Sequence, residues 1–390
     1  MTTKVMTAAI AVVCLAGPAW AQQGQSQPAT CASQGAAALP STERLDDGRV
    51  TLRLCAPDAT SVTVVSPDHS ALRSVAPGDE GMVMTRDELG RWSGTTVEPV
   101  PPGSYRYRFL VNGVRTPDPM ATRYSEERTG INSLLVVPGS GGGVQDYDPA
   151  IAHGVVSEVE YWSESLGVVR RAHVYTPPGY MKDTNAYPVL YLVHGAGDND
   201  NAWSTIGRAN YILDNLIAAG EAVPMIVVMP FGHTPDRPGA TGGTLNNQDF
   251  GNDFLNDLIP HIEANFRTLD GPENRAMAGL SMGGAHTIRN GLTHPELFSY
   301  IGIFSMGLNG GNEVEAYEAQ HEEALRRAAN ELRLVYFAMG ETDFLYSRVA
   351  PTRELLDMFN IEHIYNETPG GHTWINWRDY LTDFAPRLFK

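Results

Sequence analysis

Arg275-Ala276-Met277-Ala278-Gly279-Leu280-Ser281-Met282-Gly283-Gly284-Ala285-His286 is the stretch on which the reading of this chain turns. Arg275 to Ala278 has the composition of a short buried strand, and Ala285 to Leu292 that of a helix. Between them one serine is flanked by Gly279 and Gly283, with Gly284 following. A serine projects its hydroxyl from a sharp strand-to-helix turn only if its neighbours are small enough for the backbone to fold that tightly. Glycine makes up 39 of 390 residues, so a given serine has both flanking glycines by chance about once in a hundred. The motif alone is weak. Its seat between strand and helix makes Ser281 the expected nucleophile of an α/β protein.

A serine hydroxyl needs a base, and the base an acid to orient it; in this arrangement both follow the serine in the chain. Leu332 to Ala338 reads as a strand, and just past it comes Met339-Gly340-Glu341-Thr342-Asp343. Functional loops of open α/β sheets leave from that edge, so Asp343 is the expected acid, with Glu341 as the alternative. Glu362 to Glu367 reads as the last strand and leads into Thr368-Pro369-Gly370-Gly371-His372-Thr373-Trp374. Two glycines allow this loop to swing back over the serine, which makes His372 the expected base. His363 lies in the strand, and His261, His286, His294 and His321 lie in or beside helices, where histidines are usually structural. The oxyanion of such a reaction needs two backbone donors, each worth about 3 kcal/mol. Met282, next after the serine, supplies one, and Ala196 in His194-Gly195-Ala196-Gly197 the other, with Gly195 as second choice.

Around these loops the texture is that of a parallel sheet covered on both faces. Val168 to Tyr175, Tyr187 to Val193 and Pro224 to Met229 are strand-like, and Asn210 to Ala219 and Asn252 to Phe266 are helical between them. The second helix has one apolar face, and Pro260 is expected to bend it. Upstream, Gly139-Ser140-Gly141-Gly142-Gly143 opens a flexible link over residues 139–154. Before it, residues 45–138 hold period-two runs such as Val50 to Leu54, Ser61 to Val65, Arg91 to Val97, Tyr105 to Val111 and Ser133 to Val137. Turn residues separate them, which predicts a small β-sandwich with Trp92 in its core. Residues 22–44 read as a flexible leader. Lys4, the apolar run Met6 to Ala16 and Ala19-Trp20-Ala21 read as a signal peptide over residues 1–21, which predicts a secreted or periplasmic protein. Cys31 and Cys55 then remain to form one disulfide.

The formal charge of −17, one unit more negative without Lys4, argues against nucleic acid or an anionic membrane as partner. No second apolar stretch is long enough to span a bilayer. Asp198-Asn199-Asp200-Asn201 starts like a calcium loop but has Trp203 and Ala209 where glycine and glutamate are needed. No metal or cofactor is called for.

Val174-Tyr175-Thr176-Pro177-Pro178-Gly179-Tyr180, Leu192-Val193-His194-Gly195, Asp257-Leu258-Ile259-Pro260-His261-Ile262, the serine turn, Gly340-Glu341-Thr342-Asp343 and Gly370-Gly371-His372-Thr373-Trp374 together resemble carbohydrate esterase family 1. This is the esterase D and feruloyl esterase group, and the resemblance covers residues 155–390. It implies an α/β-hydrolase domain that removes acyl groups, feruloyl or acetyl, from plant polysaccharides through Ser281, Asp343 and His372. Residues 45–138 resemble the immunoglobulin-like domain, similar to family-48 carbohydrate-binding modules, found in front of some such esterases. Pro67-Asp68-His69-Ser70 departs from that module's usual Asn-x-Trp turn. The expected partner is an acylated carbohydrate or a small aromatic ester, with Trp203, Phe231, Tyr346 and Trp374 as candidate substrate contacts. Three other readings remain open at this stage: an enterochelin-type siderophore esterase, an acyltransferase, and a non-catalytic glycan-binding protein on a hydrolase scaffold.

Overall fold

Alternating side chains pair the N-terminal segments into two antiparallel sheets in the computed structural model, which describes residues 31, 39–68, 72, 81–139, 143–235 and 248–390. The expected signal peptide lies outside the described residues. In chain order the strands are β1 (Thr42–Arg44), β2 (Val50–Cys55), β3 (Val62–Val65), β4 (Met82–Val83), β5 (Thr85–Arg86), β6 (Arg91–Thr95), β7 (Gly103–Val111), β8 (Val114–Thr116), β9 (Tyr124–Glu127) and β10 (Gly130–Val137). One sheet runs β1-β2-β6-β5 and the other β4-β3-β7-β10-β9, with β8 added to β7. Val50, Leu52 and Trp92 from the first meet Val64, Tyr107 and Phe109 from the second in one core. The Trp92 indole donates to Ala56 O at 3.0 Å, so its polar tip is satisfied inside.

The leader and link are tied down at points the sequence reading left free, while the disulfide is the expected one. β1 falls within residues 22–44 and pairs with β2, and a disulfide joins Cys31 to Cys55 at the end of β2. Residues beyond the glycines are fastened to the next domain: Asn215 Nδ2 donates to Val144 O at 2.7 Å, Arg208 Nε to Gln145 O at 2.6 Å, and His153 Nδ1 bonds Asp214 Oδ2 at 2.8 Å.

The second domain is an eight-stranded sheet in the order β11-β12-β14-β13-β15-β16-β17-β18. β11 (Val155–Ser163) and β12 (Val168–Thr176) are antiparallel to their neighbours. β13 (Val189–Val193), β14 (Ile226–Pro230), β15 (Arg275–Leu280), β16 (Tyr300–Phe304), β17 (Leu334–Gly340) and β18 (Ile364–Thr368) are parallel. Parallel strands need crossovers, and these are supplied by α1 (Ala209–Ala218), α2 (Asp249–Asp253), α3 (Ile259–Asn265), α4 (Met282–His286), α5 (Asn312–Glu331) and α6 (Val349–Met358); α7 (Trp374–Phe384) closes the chain. Separate apolar clusters fill the two faces of the sheet. Pro260 does not simply bend a helix. A π-helical turn, Phe254–Leu258, joins α2 to α3 just before it, with Ile259 N donating to Phe254 O.

Candidate active site

Ser281 has φ 51° and ψ −115°, a backbone strain of about 1–3 kcal/mol for a residue with a Cβ. Neighbouring chain holds it there. Its amide donates to Phe304 O on β16 at 2.9 Å, and its carbonyl accepts from Ala285 N at 3.0 Å, starting α4. The flanking glycines are required by space: a Cβ on Gly279 would sit 2.4 Å from the Gly283 backbone, and one on Gly283 would sit 2.2 Å from Val193 O. The turn therefore stands at the C-terminal edge of the sheet, pressed against the end of β13.

Asp343 and His372 come from the loops after β17 and β18. Glu341 N donates to Thr368 O and Thr342 N to Gly370 O, both at 2.9 Å, so the two loops run side by side. The His372 loop is tied from α7, where Asn376 Nδ2 donates to Pro369 O at 2.8 Å and to Thr368 Oγ1 at 3.0 Å. Asp343 is buried and its carboxylate meets His372 Nδ1 at 2.9 and 3.0 Å. A carboxylate only accepts, so Nδ1 carries the proton and Nε2 is left as the basic nitrogen. Burial alone would raise the Asp343 carboxyl; hydrogen bonds from His372, Leu345 N and Ser305 overcome it and hold the group below its ordinary range. Glu341, the alternative acid, is exposed.

The loop after β13 lies beside the serine, since a Cβ on Gly195 would come within 3.6 Å of Ser281 Cβ. Ala196 is exposed at its tip, and Met282 is buried as the first residue of α4. His194 is structural. Gly232 N donates to its Nε2 at 2.8 Å and its Nδ1 donates to Gly195 O at 2.8 Å. His286 grips the same glycine from the other side, Nε2 to Gly232 O at 3.0 Å. Burial pushes His194 and His286 down to about 3 and the adjacent His233 down to about 4, so all three are neutral.

Two of the expected substrate contacts are corrected. Trp203 and Trp374 are only 1% and 2% exposed, and their rings pack edge-on at 5.1 Å. Both are core residues whose size is used to support the loops. Trp377 continues the stack and lies edge-on to His372 at 5.0 Å, with its indole bonded to Ser305 Oγ at 2.9 Å. Phe231 is half-buried against His194 and His233. Tyr346 is half-exposed with its hydroxyl on Glu367 at 2.6 Å. The sequence reading missed Phe344, which is 73% exposed with its ring 4.4 Å from His372. Its place directly after Asp343 was the available signal. A cavity of about 780 Å³ lies behind α4, between Ala285, Met306 and Tyr317, and neither Ser281 nor His372 lines it.

A mixed sheet in this order, with a serine on a strained turn after β15 and an Asp–His pair after β17 and β18, defines an α/β-hydrolase. The chain belongs to the putative esterase family, whose model matches residues 163–388. The endo-1,4-beta-xylanase/feruloyl esterase of Xylanibacter ruminicola is 34% identical over 351 residues, covering 88% of this chain and 45% of that protein. Endo-1,4-beta-xylanase Y of Acetivibrio thermocellus is 29% identical over 246 residues, 56% of this chain and 22% of that protein. The chain thus spans less than half the length of either relative. Among solved structures, a ferulic acid esterase of Anaeromyces mucronatus in complex with ferulic acid superimposes with a TM-score of 0.56 at 23% identity, covering 63% of this chain and 94% of that one. The enterobactin esterase of Shigella flexneri gives 0.60 at 19% identity, covering 90% and 95%. These likenesses are of fold, and the second takes in the N-terminal sandwich as well.

Proposed function

We propose that this chain is a secreted serine carboxylic-ester hydrolase that removes feruloyl or acetyl groups from plant cell-wall polysaccharides or oligosaccharides through an acyl-enzyme on Ser281. His372 Nε2 takes the Ser281 proton as Oγ attacks the acyl carbonyl, while the N–H groups of Met282 and Ala196 receive the charge on the carbonyl oxygen. His372 then returns the proton to the departing sugar hydroxyl. Water, activated by the same nitrogen, releases the acid and restores the serine. The observation that carries this reading is the buried Asp343 on Nδ1 of His372, set at the sheet edge where Ser281 is forced to project.

An aromatic acyl group is favoured by Phe344, an exposed ring beside the base. The name of the Xylanibacter relative supports the same substrate class. A siderophore ester is the second reading, favoured by the two-domain likeness to the Shigella enterobactin esterase and opposed by a net charge of −17, which repels an anionic iron complex. Para-nitrophenyl acetate, methyl ferulate, acetylated xylan and enterobactin, each offered to wild type, Ser281→Ala and Asp343→Asn, decide the matter. The Ala variant is expected to lose about a millionfold in kcat and the Asn variant about ten-thousandfold. Hydrolysis undiminished in Ser281→Ala overturns the serine mechanism, and the preferred ester fixes the substrate class.

A further inference from the structure

We propose that the N-terminal sandwich is a working part of the active site: Arg106 is a positioning residue that, with the turn after β9, holds the Ala196 loop in its oxyanion-binding shape. The proposal rests on the reading of Ala196 N–H as an oxyanion donor.

The loop has little to fix itself. Ala196 and Gly197 are exposed, a Cβ on Gly197 would touch nothing within 4 Å, and one turn bond, Asp198 N to Gly195 O at 3.1 Å, closes it. His194 Nδ1 holds Gly195 O at 2.8 Å at the loop's start, and the remaining restraint comes from outside. His233 Nε2 donates to Asp198 O at 3.2 Å from the catalytic side. From the sandwich, Arg128 N donates to Gly197 O at 3.0 Å, and Glu127 forms an antiparallel bridge with Asp198. Arg106 on β7 pairs with the Asp198 carboxylate while its other nitrogens hold Asp68 at 2.7 and 3.0 Å. Both residues following Ala196 are thus gripped by the other domain.

The grip is made of groups that are costly to bury. Arg106 and Asp198 are 7% and 5% exposed, and taking such charges out of water gains little net stability. What a charge-assisted guanidinium pair gives instead is fixed geometry. Geometry matters here, because a displacement of about 1 Å at a reacting centre lowers rate about a hundredfold. The adjacent Asn199 Nδ2 to Glu126 Oε2 bond, at 2.7 Å, extends the same contact.

Asp198→Ala tests the grip with Arg106 still paired to Asp68, and Arg106→Met and Arg106→Lys test it from the other side. In the full chain, kcat for para-nitrophenyl acetate is expected to fall about 10- to 100-fold in Asp198→Ala and Arg106→Met, with KM within about threefold and partial recovery in Arg106→Lys. The same changes are then made in a Ser281→Cys background and alkylation by iodoacetamide is timed. Displacement at a saturated carbon develops no oxyanion, so this rate is expected to stay within about twofold. An unchanged kcat, a change confined to KM, or an equal fall in alkylation overturns this proposal alone. Full hydrolysis by Ser281→Ala overturns the serine reading and this proposal with it.

Discussion

At the scale of single residues, Gly283 shows how little freedom the serine turn has. Gly283→Ala would drive a methyl to within 2.2 Å of Val193 O and 2.8 Å of His194 O, both backbone atoms that cannot step aside. Overpacking of this kind costs about 1–3 kcal/mol and here would also tilt Ser281, so a lowered urea midpoint and a kcat drop beyond that of the unfolded fraction are expected. Phe344 makes a separate prediction. Stacking of an aromatic acyl group on its ring is worth about 0.5–1.5 kcal/mol, so Phe344→Ala should raise KM for methyl ferulate about 2- to 12-fold and leave para-nitrophenyl acetate unchanged. Equal effects on both esters would remove it from the acyl pocket. That Ser281, Asp343 and His372 follow the ends of β15, β17 and β18 was legible, because turn residues mark those strand ends. Trp203 and Trp374 were misjudged for a physical reason: placement on a loop says nothing about whether a large ring turns outward or in. Asp343 was separated from Glu341 by its burial and by its contact with His372 Nδ1, neither of which sequence shows.

At the scale of elements, continuous apolar runs revealed β13, β14 and β17, since strands covered on both faces need no polar side. β16 escaped notice because its five residues contain Gly302, and glycine weakens a strand signal. That glycine is there for packing: a Cβ on it would sit 2.8 Å from Ala278 Cβ on β15 and 3.0 Å from the Phe384 ring. β9 was equally obscure, four residues of which two are glutamates. Its purpose is visible only across the domain boundary, where its last residue bridges to Asp198. α7 links packing to chemistry, because Trp374 and Trp377 stack on Trp203 at one end and His372 at the other. Trp374→Ala should cost about 3–5 kcal/mol through the cavity it leaves, and should lower kcat in the folded fraction as the His372 loop loses its backing. A urea titration and a kcat corrected for folded fraction separate the two effects.

At the scale of the whole molecule, the response of stability to acid follows from the histidines buried behind the Ser281 edge of the sheet. His194 and His286 clamp Gly232 as neutral rings, with burial pushing each down to about 3 from an ordinary value of 6.5. A depressed pKa means that the unfolded chain takes up a proton that the folded chain refuses. Stability is therefore complete above about pH 6.5 and erodes as pH falls from there toward 3, by about 2 kcal/mol per ring at pH 5. Asp343, held below the carboxylate range, acts in a lower window: its contribution is lost only as pH drops through and below the usual carboxylate value. The two windows can be told apart with His286→Gln, whose side-chain amide can still donate to Gly232 O but takes up no proton. Its urea midpoint should fall less steeply than wild type between pH 6.5 and 4.5 and run parallel below pH 3, as one proton leaves the linkage. Identical slopes for the two proteins would mean that His286 is already protonated in the folded state, and the clamp on Gly232 would have to be redrawn with a charged ring.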